Sequence, residues 1–140
     1  MKNLLIFLIS NIFVLTACIV EDPITTGDYY IINNTDYKIL INNYVNGEVV
    51  DTIFISKDET EEYHFGDQGH TPSPPYFMAD SSEIVFGDTV SIMHYRNGTQ
   101  GADSSILVSE SWIGGKTSAY RYEFKYIFTN EDYKEALNNL

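Results

Sequence analysis

"YKILINNYVNGEVVDTIFIS", residues Tyr37 to Ser56, decides the fold class. Two runs rich in β-branched and aromatic residues flank Asn46-Gly47. Asn-Gly is the strongest short hairpin signal, because both central positions of a type I′ turn need positive φ. The expectation is a strand over Tyr37–Val45 that turns back into a strand over Glu48–Ser56. Tyr37, Ile39, Ile41 and Val45 share one face by period two, with the polar Asn43 among them. Val49, Ile53 and Ile55 align in the partner, interrupted by Asp51. A β-bulge, or packing on both sides of the sheet, accounts for either break.

Working outward, turn residues recur about every ten positions, the spacing of an all-β sandwich or barrel. Tyr29–Asn33 reads as a first strand closed by the turn Asn33 to Asp36, and Thr60–Phe65 as a fourth. Glu83–Phe86 and Thr89–Tyr95 pair around Gly87-Asp88. Ser105–Ile113 and Ser118–Phe128 form a last hairpin around Gly114-Gly115-Lys116-Thr117. In that final strand Tyr120, Tyr122, Phe124, Tyr126 and Phe128 alternate with charged Arg121, Glu123 and Lys125, which predicts a core-facing aromatic stripe with a solvated exterior. Thr129 with Asp132 three residues on approximates a capping box, so a short C-terminal helix is expected from Asn130 to Leu137. Glu131 and Asp132 suit the positive end of its dipole. The expected fold is an all-β, immunoglobulin-like antiparallel sandwich of seven or eight strands with that helix. An open β-barrel is the structural alternative.

The N-terminus has a different composition. Lys2 is followed by an almost wholly apolar run, Leu4 to Leu15, and by small Thr16 and Ala17. That layout is a secretory signal peptide, too short to span a bilayer permanently. Leu15-Thr16-Ala17-Cys18 resembles the lipobox of bacterial lipoproteins. The resemblance implies that the Cys18 thiol carries a diacylglyceryl group, that the chain is cut before Cys18, and that the new N-terminus is acylated. Cys18 is the only cysteine, and a lipid-bearing sulfur explains an unpaired thiol in an exported chain. Several acyl chains meet the requirement for stable anchoring. Residues 1–17 are then leader, 18–28 a lipid-anchored tether and 29–140 the sandwich domain.

Glu21-Asp22 resembles the acidic surface-export signals that follow the cysteine in lipoproteins of the Bacteroidetes. Asp51-Thr52-Ile53 and Asp88-Thr89-Val90 fit the O-glycosylation pattern of that phylum. The "IINNTDYKILI" opening and the "YRYEFKYIFTNEDYKEA" ending are similar to a group of small Bacteroidetes lipoproteins of unknown function. The resemblance implies an outer-membrane, lipid-anchored location, with surface exposure as one of its two orientations, and transfers no catalytic residue.

The formal net charge is −12, and −13 once Lys2 leaves with the leader, which argues against nucleic-acid partners. No phosphate loop, dinucleotide fingerprint, zinc-ligand pair or nucleophile elbow is present. His64, Asp67 and His70 lie close in sequence, but their spacing matches no metal site. His94 is expected at a sheet edge or in solvent. Asp58, Glu59, Glu61 and Glu62 read as a solvated strand edge. No catalytic, metal or cofactor site is expected. The best ligand surface is the proline-rich loop Gly66–Ser82, with His70, Tyr76 and Phe77, together with the lone Trp112. The resulting expectation is a non-enzymatic cell-envelope lipoprotein acting as an interaction or structural module on a glycan or protein partner. The alternative is an accessory glycan-binding lipoprotein using Trp112 and Tyr76, and a small hydrolase stands third. Burial of Trp112 would count against the glycan reading.

Overall fold

A computed structural model describes residues 23–75, 78–96 and 104–139. Eight strands form two packed four-stranded sheets, followed by one C-terminal helix. The strands are β1 (Ile24–Asn33), β2 (Ile39–Val45), β3 (Glu48–Ile55), β4 (Thr60–Gln68), β5 (Ser81–Phe86), β6 (Val90–Tyr95), β7 (Ile113–Ser118) and β8 (Arg121–Phe128). Helix α1 covers Asn130–Asn138. The first sheet has the order β4-β1-β8-β7 and the second β3-β2-β5-β6.

The expected hairpin around Asn46-Gly47 is present. Asn46 and Gly47 have φ of 53° and 82°, and the ladder shifts register at Asn43/Tyr44. The bulge falls just after the Asn43–Asp51 pair, so Asn43 keeps its place on the buried face with Ile39 and Ile41 and the alternation breaks only beyond it. Asn43 stays buried, where its side chain meets Ser82 and Asp51.

The connectivity is immunoglobulin-like in its central six strands. β1 to β6 take the places of strands B, C, C′, E, F and G, with B beside E in one sheet and C′, C, F and G in order in the other. The place beside B that strand A holds is taken by β8. β8 runs parallel to β1, so the ladders are not all antiparallel as expected.

The core lies between the sheets. Ile31, Ile39, Ile41, Ile55, Ile84, Phe86 and Phe128 are fully enclosed, each stabilising the fold by roughly 1.5–3 kcal/mol. Phe124, Tyr126 and Phe128 form the buried part of the aromatic stripe, while Tyr122 is half-buried and Tyr120 lies exposed in the β7–β8 turn. The Asp132 carboxylate accepts hydrogen bonds from Thr129 N–H and Oγ, which fixes the start of α1. Tyr133 then stacks on Tyr37 at 4.1 Å.

Three expectations need correction. First, β1 starts at Ile24, so residues 24–28 belong to the sheet and not to a tether. Thr25 and Thr26 are β-branched, and the strand pairs on both sides. Second, Ser105–Trp112 is not a strand. It is a folded segment ending in a 3-10 turn at Ser109–Ser111, and it buries Ile106, Leu107 and Trp112. Serine-to-backbone bonds hold it: Ser105 N–H donates to Ser111 Oγ and Leu107 N–H to Ser105 Oγ. The β7–β8 hairpin therefore turns later, and Gly114-Gly115 lie inside β7. A Cβ at Gly114 would collide with the Glu123 carbonyl, so only glycine lets β7 close onto β8. Third, His94 lies on the edge strand β6, one of the two expected places, but it is not in solvent. It is 2% exposed, and its Nδ1 accepts the Ile106 N–H at 3.1 Å.

Burial pushes the His94 imidazole down to about 4. In the unfolded chain it titrates near 6.5. Protons therefore bind preferentially to the unfolded state, and the stability held above pH 6.5 drains as pH falls from 6.5 towards 4. The slope approaches about 1.4 kcal/mol per pH unit and the full loss about 3 kcal/mol. Urea denaturation at pH 7.5 and pH 5 should show this fall. His94→Gln should flatten it even though it lowers stability at pH 7.5.

Candidate functional site

The site is built where β1 begins and β4 ends. Ile24 pairs with Gln68 there, and the chain leaves β4 into the proline-rich loop. Along β1, Gly27 and Tyr29 face the core while Asp28 faces outward. Gly27 has no side chain, and Pro72 uses that space: a Cβ at position 27 would lie 2.8 Å from Pro72 Cβ and 3.0 Å from the Tyr29 ring. This close approach brings the loop across the end of the sandwich and over Tyr29.

A cleft of about 290 Å³ results. Its apolar walls are Phe65, Pro72 and Pro75. Tyr29, Asp67, His70, Thr71 and Ser73 supply polar groups. A shallower groove of about 330 Å³, lined by Pro23, Thr25, Gly69, His70 and Thr71, runs towards the start of β1. His70 and Thr71 line both depressions. His70 is held but open: Nδ1 lies 2.9 Å from Asp67 Oδ2, and its side chain is 76% exposed. The Tyr29 phenol is buried, which pushes its pKa up and keeps it a neutral hydrogen-bonding group. The cleft has room for one sugar ring or one amino-acid side chain. It offers a stiff apolar wall with a few polar groups, the usual make-up of a small recognition site.

On the outer face of the same strand, Asp28 is 6% exposed despite facing away from the core. Two neighbours cover it. His64 Nδ1 on β4 meets Oδ1 at 2.8 Å, and Arg121 on β8 reaches Oδ2 with Nε at 2.8 Å and a terminal nitrogen at 2.7 Å. The His64 hydrogen bond is the largest influence holding the Asp28 carboxyl below its usual range. The Arg121 bond and charge add to it, and burial opposes it. One carboxylate thus fastens three adjacent strands just beside the cleft. His64 Nε2 faces Glu62 Oε1 at 3.7 Å, not a hydroxyl that it could activate.

Of the residues singled out from sequence, the structure brings His70 and Asp67 to this site, with Pro72 and Pro75 of the proline-rich loop. Tyr76 and Phe77 lie outside the described residues, as does Cys18. Trp112 is corrected: it is 7% exposed, its indole N–H donates to the Ile106 carbonyl at 2.9 Å, and its ring packs edge-on against Tyr29 at 6.2 Å. It is a core wedge beneath the cleft, because a buried indole N–H needs a partner and finds one in the folded 105–112 segment. His64 and Asp67 stand on opposite faces of β4 by period two, so His64, Asp67 and His70 do not converge. Sequence reading missed Asp28, Tyr29, Phe65 and Arg121 as site residues. The signal for the first two was the β-branched pair Thr25-Thr26, which extends the strand backwards. Nothing local marks a partnership between Asp28 and Arg121, 93 residues apart.

Gly27→Ala tests how the cleft is built. It should cost about 1–3 kcal/mol by crowding Pro72 and Tyr29. It should also speed amide exchange at residues 69–73 relative to β5, read by hydrogen-exchange mass spectrometry. Unchanged stability and exchange would contradict the packing described.

Compared with protein families, with curated proteins and with solved structures, the chain finds no match.

Proposed function

We propose that this chain is a lipid-anchored, non-enzymatic binding module of the bacterial cell envelope, held in the outer membrane through Cys18, with the His70 cleft turned towards the bilayer. The supporting observation is the start of β1 at Ile24. Only residues 19–23 separate Cys18 from the sheet, and that connection reaches about 20 Å even when fully extended. The cleft lies at this end of the sandwich, and the groove that shares His70 and Thr71 with it is lined by Pro23 and Thr25. A lipid on Cys18 therefore keeps the cleft within reach of molecules at the membrane surface. The acidic domain is not drawn to anionic lipid by its own charge, so the anchor must supply the attachment.

Recognition is favoured over catalysis because both carboxylate-held imidazoles are open to solvent: His64 faces Glu62 on an open sheet, and His70 is exposed beside Asp67 at the cleft. Glycan binding through Trp112 loses its stacking platform with that ring buried. A sugar ring would have to use Phe65 and the prolines instead.

Fractionation of cells expressing wild type and Cys18→Ala tests the anchor. Wild type should stay with the membranes and carry the mass of a lipidated N-terminal cysteine, and the variant should appear in the soluble fraction. A variant that remains membrane-bound would sink the anchored reading. Protease shaving of intact cells then distinguishes the two orientations.

A further inference from the structure

The four sheet edges of this sandwich are not equally protected. β3 carries the bulge opposite Asn43/Tyr44. β7 holds two glycines at φ of 133° and 152° and a register shift between Lys116 and Ser118. β6 is bonded by the folded segment, with Ser105 Oγ donating to the Tyr95 carbonyl and Ile106 N–H to His94. Bulges, glycine distortions and covering segments are the usual means of blunting an edge.

β4 has none of them. It makes nine consecutive pairs with β1 in unbroken register, contains no proline or lysine, and has no strand on its other side among the described residues. Alternate residues of such an edge turn their N–H and C=O groups outwards, ready to pair. In an immunoglobulin sandwich strand D lies outside strand E, the place that β4 holds here. The β3–β4 connection, Ser56 to Glu59, is too short to supply a strand D.

Charge selects what fits there. Asp58, Glu59, Glu61 and Glu62 line the edge and its approach. The lysines in ion pairs are engaged elsewhere: Lys38 with Asp88, Lys57 with Asp36, Lys125 with Glu123 and Lys134 with Glu131. Arg121 is spent on Asp28. Glu59 and Glu61 have no lysine or arginine partner among the described residues. A second copy of β4 would set acid against acid across the new ladder, which is destabilising.

We propose that the free edge of β4 docks an extended polypeptide segment bearing lysine or arginine at alternate positions, which joins the first sheet in the place of strand D. Main-chain hydrogen bonds supply affinity, and the acidic side chains select the basic strand. The inference rests on the reading of the chain as an interaction module and names the partner's chemistry; it is independent of Cys18.

The test uses the full chain in detergent micelles and two synthetic octapeptides. One alternates lysine with threonine and valine, and the other has glutamate for each lysine. The basic peptide should bind with an affinity that falls as salt rises, and it should slow exchange at alternate amides of Thr60–Gln68. The acidic peptide should not bind. Glu59→Gln combined with Glu61→Gln should weaken the basic peptide about tenfold or more without unfolding the chain, as checked by circular dichroism. Absence of binding, equal binding of both peptides, or binding without protection of β4 would each overturn the proposal. So would a dimer whose β4 amides are already protected before peptide is added. The membrane partition of Cys18→Ala is read separately, so failure here leaves the anchoring result intact.

Discussion

A single buried amide fixes the geometry on which the site depends. Asn33 ends β1 and is completely enclosed. Its Nδ2 donates to the carbonyls of Tyr37 at 2.8 Å, Ser56 at 3.0 Å and Ile55 at 3.1 Å. Its Oδ1 accepts from Thr35 N–H and Thr35 Oγ. Its backbone N–H and C=O bond to Glu59 and Asp58. One residue therefore joins the first sheet, the turn into β2 and the end of β3 in the second sheet. A buried amide left without partners costs about 1–3 kcal/mol, so these bonds form together or the end of the sandwich opens.

With that end pinned, the register of β1 follows. A slip of one residue would exchange its two faces, putting Asp28 into the core and Gly27 on the surface. In the observed register Gly27 meets Pro72, Tyr29 stacks on Phe124 at 5.5 Å, and Asp28 gathers His64 and Arg121. The cleft at one end is thus a consequence of an asparagine at the other, about 30 Å away along the ten-residue β1. The proposed orientation adds only the short reach from Cys18 to Ile24.

Local patterns were readable in the sequence where local physics decides the outcome. The Asn46-Gly47 turn follows from positive φ, the alternation in β8 from one buried face, and the start of α1 from Thr129 and Asp132. Partnerships across sheets were not readable. Asn33 reads as a turn residue, and only the fold shows it bonding to Ile55 and Ser56. His94 reads as a strand-end histidine, yet the 105–112 segment covers it. That segment looks like a strand because Ile106, Leu107, Val108, Trp112 and Ile113 are apolar, while its serines redirect the backbone. Gly27 looks like linker composition, although in a central strand a missing side chain makes room for a loop. His70 was legible because an exposed polar residue amid prolines already marks a presented loop. Trp112 was misleading because rarity in composition says nothing about burial.

In the proposed orientation the anchor holds the His70 end of the sandwich towards the membrane and the Asn33 end away from it. His70→Cys and Asp58→Cys place fluorophores at the two ends and leave Cys18, the proposed lipid-bearing residue, unchanged. Energy transfer to acceptors in the bilayer, measured on the full chain in vesicles, tests the claim most directly. The proposed orientation gives strong transfer from position 70 and weak transfer from position 58. Equal transfer from both positions, or stronger transfer from position 58, would contradict it.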